Sequence, residues 1–226
     1  MIVSPRTSTA TIKKIGRSGE LRNAKYDGSK HPIGRPIVAE QLFLSYWLRG
    51  FTPATMARTF DKAVRLFPFS RLAKSPSNWK VMAIDAATPA LLEQALPSPL
   101  DLDRVAEDSR HYQAADVALE LETWWDLWGH DGDWKLEPAR AVITCFGPEF
   151  ENHLGENLRV DFGIDSRYLP DPEIPGSARV IQSNIRSLLK LVHDLDDALP
   201  VEKRQLWSET GENFVERLQT VLSLSQ

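Results

Sequence analysis

The residues most able to do chemistry crowd into one stretch. Between positions 120 and 134 the chain sets Glu120, Glu122, Asp126, His130, Asp131 and Asp133 among Trp124, Trp125, Trp128 and Trp134, four of its seven tryptophans. Residues 118–128, ALELETWWDLW, alternate in character. In a strand of period two, Leu119, Leu121, Thr123, Trp125 and Leu127 face one way, and Glu120, Glu122, Trp124, Asp126 and Trp128 the other. Ala, Leu and Glu also suit a helix, but the alternation and the adjacent tryptophans favour strand. Asp131-Gly132 is a hairpin signal, so a return strand is predicted over 134–146, with a bulge near Pro138.

Tryptophans interspersed with carboxylates on one sheet face fit three arrangements. A terminal helix carrying Arg179, Arg186 or Lys190 could cover them and neutralise the acids. They could line a pocket for a cationic or sugar-like ligand, through ring faces and carboxylate hydrogen bonds. They could also form a protein-binding patch with tryptophan anchors. Two carboxylates two positions apart on a strand lie roughly 6–7 Å from each other, a spacing glycosidases use, but only across a cleft. The leading expectation is a non-catalytic binding or protein-interaction domain that recognises its protein partner through Glu120, Glu122, Trp124, Asp126 and Trp128. The alternative is a carboxylate-dependent or metal-assisted hydrolase built from Glu120, Glu122, Asp126 and His130.

The rest of the chain offers less. No phosphate-binding glycine loop, dinucleotide fingerprint or nucleophile elbow is present, and no cofactor is expected. Cys145 is the single cysteine. It excludes an internal disulfide and a cysteine-based zinc site, and its apolar setting, AVITCF, predicts a buried structural thiol. His130 with Asp131 and Asp133, and His153 with Glu149 and Glu151, read as turn and loop residues rather than metal ligands. Asp194, Asp196 and Asp197 sit with His193 at the negative end of a predicted helix, where Lys190, Lys203 and Arg204 can balance them.

Charge is unevenly spread around a net of −4. Residues 1–35 hold eight basic and two acidic side chains, a net of +6, whereas residues 101–137 hold eleven acids and three bases, a net of −8. The arm could bind nucleic acid, pair with the acidic body or be a solvated leader. Its bases are scattered and Tyr26 is its only aromatic, so a nucleic-acid accessory role ranks third. No run approaches 18 apolar residues and no signal-peptide core is visible, which predicts a soluble cytoplasmic protein without membrane contact.

The elements that must position these residues follow from periodicity. Residues 41–49 and 79–86 read as buried strands and 157–163 as a strand with Arg159 and Asp161 outward. Thr52-Pro53 and Thr88-Pro89 read as helix starts, and Asp101 as the cap of a third helix. The strand, helix, strand order at 41–86 predicts a parallel crossover. A long amphipathic helix is predicted from Ser177 to about Leu199, its stripe running through Val180, Ile181, Ile185, Leu188, Leu189, Val192 and Leu195, and a final helix from Thr210. The expectation is an α+β fold: a leader over 1–35, then one domain over 36–226. Its single mixed, mostly antiparallel sheet has about five strands, with two helices at the C-terminus.

Overall fold

A computed structural model describes residues 39–171 and 173–224; the basic arm lies outside them. The described residues form one antiparallel sheet with four helices. In chain order the elements are β1 (Gln41–Leu48), α1 (Pro53–Leu66), β2 (Ser77–Ala83), β3 (Leu92–Leu96), α2 (Leu102–Ser109), β4 (Val117–Asp131), β5 (Asp133–Phe146), β6 (Leu158–Ile164), α3 (Ser177–Ala198), β7 (Val201–Ser208) and α4 (Phe214–Leu224). The sheet has seven strands rather than five, in the order β3-β2-β4-β5-β6-β1-β7, and every pairing is antiparallel.

The predicted parallel crossover is therefore wrong. β1 pairs with β6 and β7, whose residues come more than a hundred positions later, and α1 carries the chain across the sheet to β2 near the opposite edge. The predicted helix at Thr88-Pro89 is also overturned. The Thr88 backbone and hydroxyl both donate to Asp85 Oδ1, at 2.7 and 2.8 Å, closing a turn instead of capping a helix. Residues 92–96 then extend along β2, with Leu96 buried and Glu93 and Ala95 exposed. The pairing offered by β2 overrides the helical propensity of Leu-Glu-Gln-Ala. The other missed strand, β7, lies between the two C-terminal helices. Its Glu202-Lys203-Arg204 run hides the apolar signal, as charge on an edge strand does.

The remaining elements form where expected. Asp101 accepts from the Arg104 N–H at 3.0 Å and starts α2. The α3 stripe is rotated slightly: Ile181, Leu188, Leu191, Val192 and Leu195 are buried, but Leu189 is exposed and polar Asn184 points inward. The last helix starts at Phe214, after a turn at Thr210-Gly211 where Gly211 takes φ +84°.

All four helices contribute to one apolar core. Met56, Phe60 and Val64 of α1, Val105 of α2, Leu188 and Leu195 of α3 and Phe214 of α4 join Leu44, Trp79, Leu121, Trp125, Leu127, Ile143 and Phe162 from the strands. These strand residues all belong to one face of the sheet, hereafter the inner face. A smaller cluster on the outer face, Met82, Ala118, Phe146 and Phe150, closes one end of it under the loop that follows β5.

Candidate functional site

The outer face carries the site because strand alternation sends every predicted residue there. Glu120, Glu122, Trp124, Asp126 and Trp128 are all half-buried, whereas Leu119, Leu121, Thr123, Trp125 and Leu127 between them are fully buried. Among the described residues no helix lies over this face; α3, with Arg179, Arg186 and Lys190, packs on the inner side. The first of the three arrangements, cover by a terminal helix, is thus not formed among the described residues, and Lys190 instead pairs with Asp194 at 2.6 Å.

Strand register sets the outer face out in transverse rows. Lys80, Glu120, Thr144, Arg159, Ser45 and Gln205 form one, and Asn78, Glu122, Val142, Asp161, Phe43 and Trp207 form the next. Beyond them the β4–β5 ladder runs on without β2 paired to β4 or β6 paired to β5. There Trp124 lies opposite Arg140, Asp126 opposite Pro138 and Trp128 opposite Leu136.

Each carboxylate has a local partner. Glu122 binds Arg140 at 2.7 Å, and Arg140 also feels the charges of Asp161 and Glu120. Burial pushes the Glu120 carboxyl above its ordinary range, against the pull of Lys80, the Thr144 hydroxyl at 3.4 Å and Arg140. Burial raises Asp161 too, although the Gly163 N–H donates to it at 2.8 Å. Asp126 holds the α1–β2 loop, accepting from the Ser70 hydroxyl and, at 2.9 Å, from the Arg71 N–H. Arg159 stacks over Phe146 and Phe43, 4.9 and 5.8 Å from the ring centroids.

The hairpin arm is stitched to the body along its free edge. Ser70 N–H donates to the Trp124 carbonyl at 2.7 Å. Four residues on, the buried Asn184 amide binds the Trp128 main chain on both sides, at 2.9 Å each, and donates to the Arg167 carbonyl at 2.7 Å. Trp124 and Trp128 thus turn their peptide groups away from β5, and Asp126 between them does the same. Its neighbour Pro138 needs no N–H toward β4, so the register runs through it without the predicted bulge.

The hydrolase set does not converge. Glu120 and His130 are ten residues apart on one strand, about 33 Å at the usual rise. His130 sits by the hairpin turn, its ring 5.0 Å from that of Trp134. Among the described residues no group of three or more His, Cys, Asp or Glu is placed to hold a metal ion. Asp196 pairs with Arg204, and His193 lies 3.5 Å from Asp197. Cys145 is buried, and burial pushes its thiol well above the ordinary range.

The residues that sequence reasoning missed are those brought in by register: Lys80, Arg140, Thr144, Asp161, Leu136 and Pro138. The outward placement of Arg159 and Asp161 was legible from alternation. Their adjacency to Glu120 and Glu122 was not. Comparison with protein-family models, curated proteins and solved structures gives no match.

Proposed function

We propose that the chain is a non-catalytic, cytoplasmic protein-interaction domain that binds its partner on the outer face of the β4–β5 hairpin. One observation carries this reading. Trp124, Trp128, Leu136 and Pro138 share a face over which, among the described residues, no helix lies, and Leu136 is 44% exposed. Aromatic anchors on a rigid scaffold are what interface centres require, and Asn184 with Ser70 supplies the rigidity. Glu122 and Asp126 are bound by groups of the same chain, which suits a rim that orients a partner better than a reacting pair.

The experiment starts with a photo-crosslinking residue at Leu136 in the source organism, with one at exposed Leu189 of α3 as control. The protein captured from Leu136 alone is then purified and titrated. Trp128→Ala is expected to weaken binding at least tenfold while costing far less stability than Trp125→Ala, for which core truncation predicts about 3–5 kcal/mol. Equal large stability losses in both variants, with binding unchanged, would return the outer tryptophans to a purely structural role.

A further inference from the structure

Beside Trp124, where β2 ends and β4 runs on, the loops before β2 and after β3 leave a partly open cavity of about 230 Å³. Phe69, Trp124, Pro97 and Pro99, all with flat rings, are on its lining. The indole of Trp124 is fixed, because its N–H donates to the Pro76 carbonyl at 3.2 Å. Ser70, Ser75, Ser77, Ser98 and Thr123 are its hydroxyl-bearing lining residues. Ser77 and Thr123 bind each other at 3.0 Å, and Ser70 is held by Asp126. No ionisable side chain lines the cavity.

We propose that this cavity is a binding site for a small, uncharged aromatic ring bearing a hydroxyl, a phenol-type group. Three features select that class. A cavity of about 150 Å³ already holds benzene, so this one takes a substituted ring but is smaller than the sites of drug-sized ligands. The indole and proline faces match a flat ring, which a branched aliphatic group would fill less well. Ser75 and Ser98 on the lining carry hydroxyls able to bind a polar atom, whereas a charged group would find no counter-ion among the lining side chains. The same ring could arrive as a free small molecule or as a tyrosine side chain.

Amide and indole N–H spectra of the full chain, titrated with p-cresol, test the site. Saturable shifts at Thr123 and the Trp124 indole are expected, with a Kd of about 1 mM or tighter for a ligand of this size. Ala73→Leu and Ser98→Leu, each placing a larger side chain on the lining, should weaken binding at least tenfold; their own spectra show whether the fold is kept. 4-Hydroxybenzoate should bind at least tenfold more weakly than p-cresol. N-acetyl-tyrosinamide separates the sources: binding as tight as p-cresol assigns the site to a tyrosine side chain, and tenfold weaker binding assigns it to a free phenol. No saturable shift, no loss in a folded cavity-filling variant, or equal affinity for the benzoate would each overturn the proposal. The result is independent of the hairpin's partner, since p-cresol needs none.

Discussion

At the scale of single residues, the two glutamates whose ionisation the fold perturbs most clearly do so with opposite signs. Glu40 precedes β1 and is held at about 2, chiefly by the Ser208 side chain, with Thr210 and Arg217 also bound to it. A depressed carboxyl contributes stability that is present above its ordinary value near 4.5 and is lost as pH falls toward 2. Glu120 is raised by burial, so its contribution is present below its ordinary value and lost as pH rises through the folded one. Glu40→Gln is therefore expected to lower the urea midpoint most at pH 7, with the deficit shrinking toward pH 2. Glu120→Gln should raise the midpoint at pH 7 and converge with wild type under acid conditions. Urea titrations at pH 7, 4.5 and 3 check both. Shifts of the same sign at pH 7 would mean that burial does not dominate at Glu120.

At the scale of elements, the hairpin is the feature that most needs explaining. β4 and β5 run 15 and 14 residues, but β2 pairs only as far as Glu122 and β6 only from Val142. The overhang keeps its shape because Ser70 and Asn184 take the peptide groups that a neighbouring strand would otherwise use. Two glycines show how differently its ends are packed. A Cβ on Gly147, at the base, would press into the Ala115 and Val117 carbonyls, which are backbone and cannot move aside. A Cβ on Gly129, near the turn, would meet the ends of the Glu137 and Arg167 side chains, which pair at 2.9 Å and are flexible enough to shift. Gly147→Ala is expected to cost about 1–3 kcal/mol, a fall of about 3–10 °C in Tm, and Gly129→Ala about 0.5 kcal/mol. Thermal melts decide it, and comparable losses would mean that the base of the hairpin yields as easily as its end.

At the scale of the whole molecule, the sheet depends on the end of the chain. α3, β7 and α4 supply an edge strand beside β1 and the core residues Ile181, Leu188, Leu191, Leu195 and Phe214. Arg217 of α4 binds Asp165 at 2.9 Å and Glu40 at 2.8 Å, tying that helix to the ends of β6 and β1. A chain ending at Gly176 would expose Leu44, Trp125 and Phe162 together with the unpaired edge of β1. With total stabilities of only ~5–15 kcal/mol, it is expected to aggregate instead of folding. Light scattering and circular dichroism of the truncated chain test this. A monomeric product with a cooperative melt would show that the C-terminal elements form a separable unit.

Features that depend on neighbours along the chain were legible in the amino-acid order. Alternation in ALELETWWDLW was enough to send Trp125 inward and Trp124, Trp128 and the three carboxylates outward, because a strand's side-chain period is two wherever the strand sits. Asp131-Gly132 marked the turn, although Asp131 pairs with Asp133 and Gly132 alone links the strands, at a positive φ of 76°. The Asp101 cap and the span of α3 were legible for the same reason. Which elements lie beside one another follows from long-range pairing and packing. Nothing near residues 41–48 announces that β6 and β7 will flank them, so a local pattern suggested a parallel partner and the long-range pairing supplied antiparallel ones. Leu92–Leu96 carried helical propensity worth only a few tenths of a kcal/mol per residue, less than a ladder of hydrogen bonds along β2 provides. Arg140 beside Glu122, Asn184 under Trp128 and the cavity against Trp124 join positions 18 to 56 residues apart, or from separate loops. Such contacts arise from register and packing between elements, and no single segment of the chain encodes them.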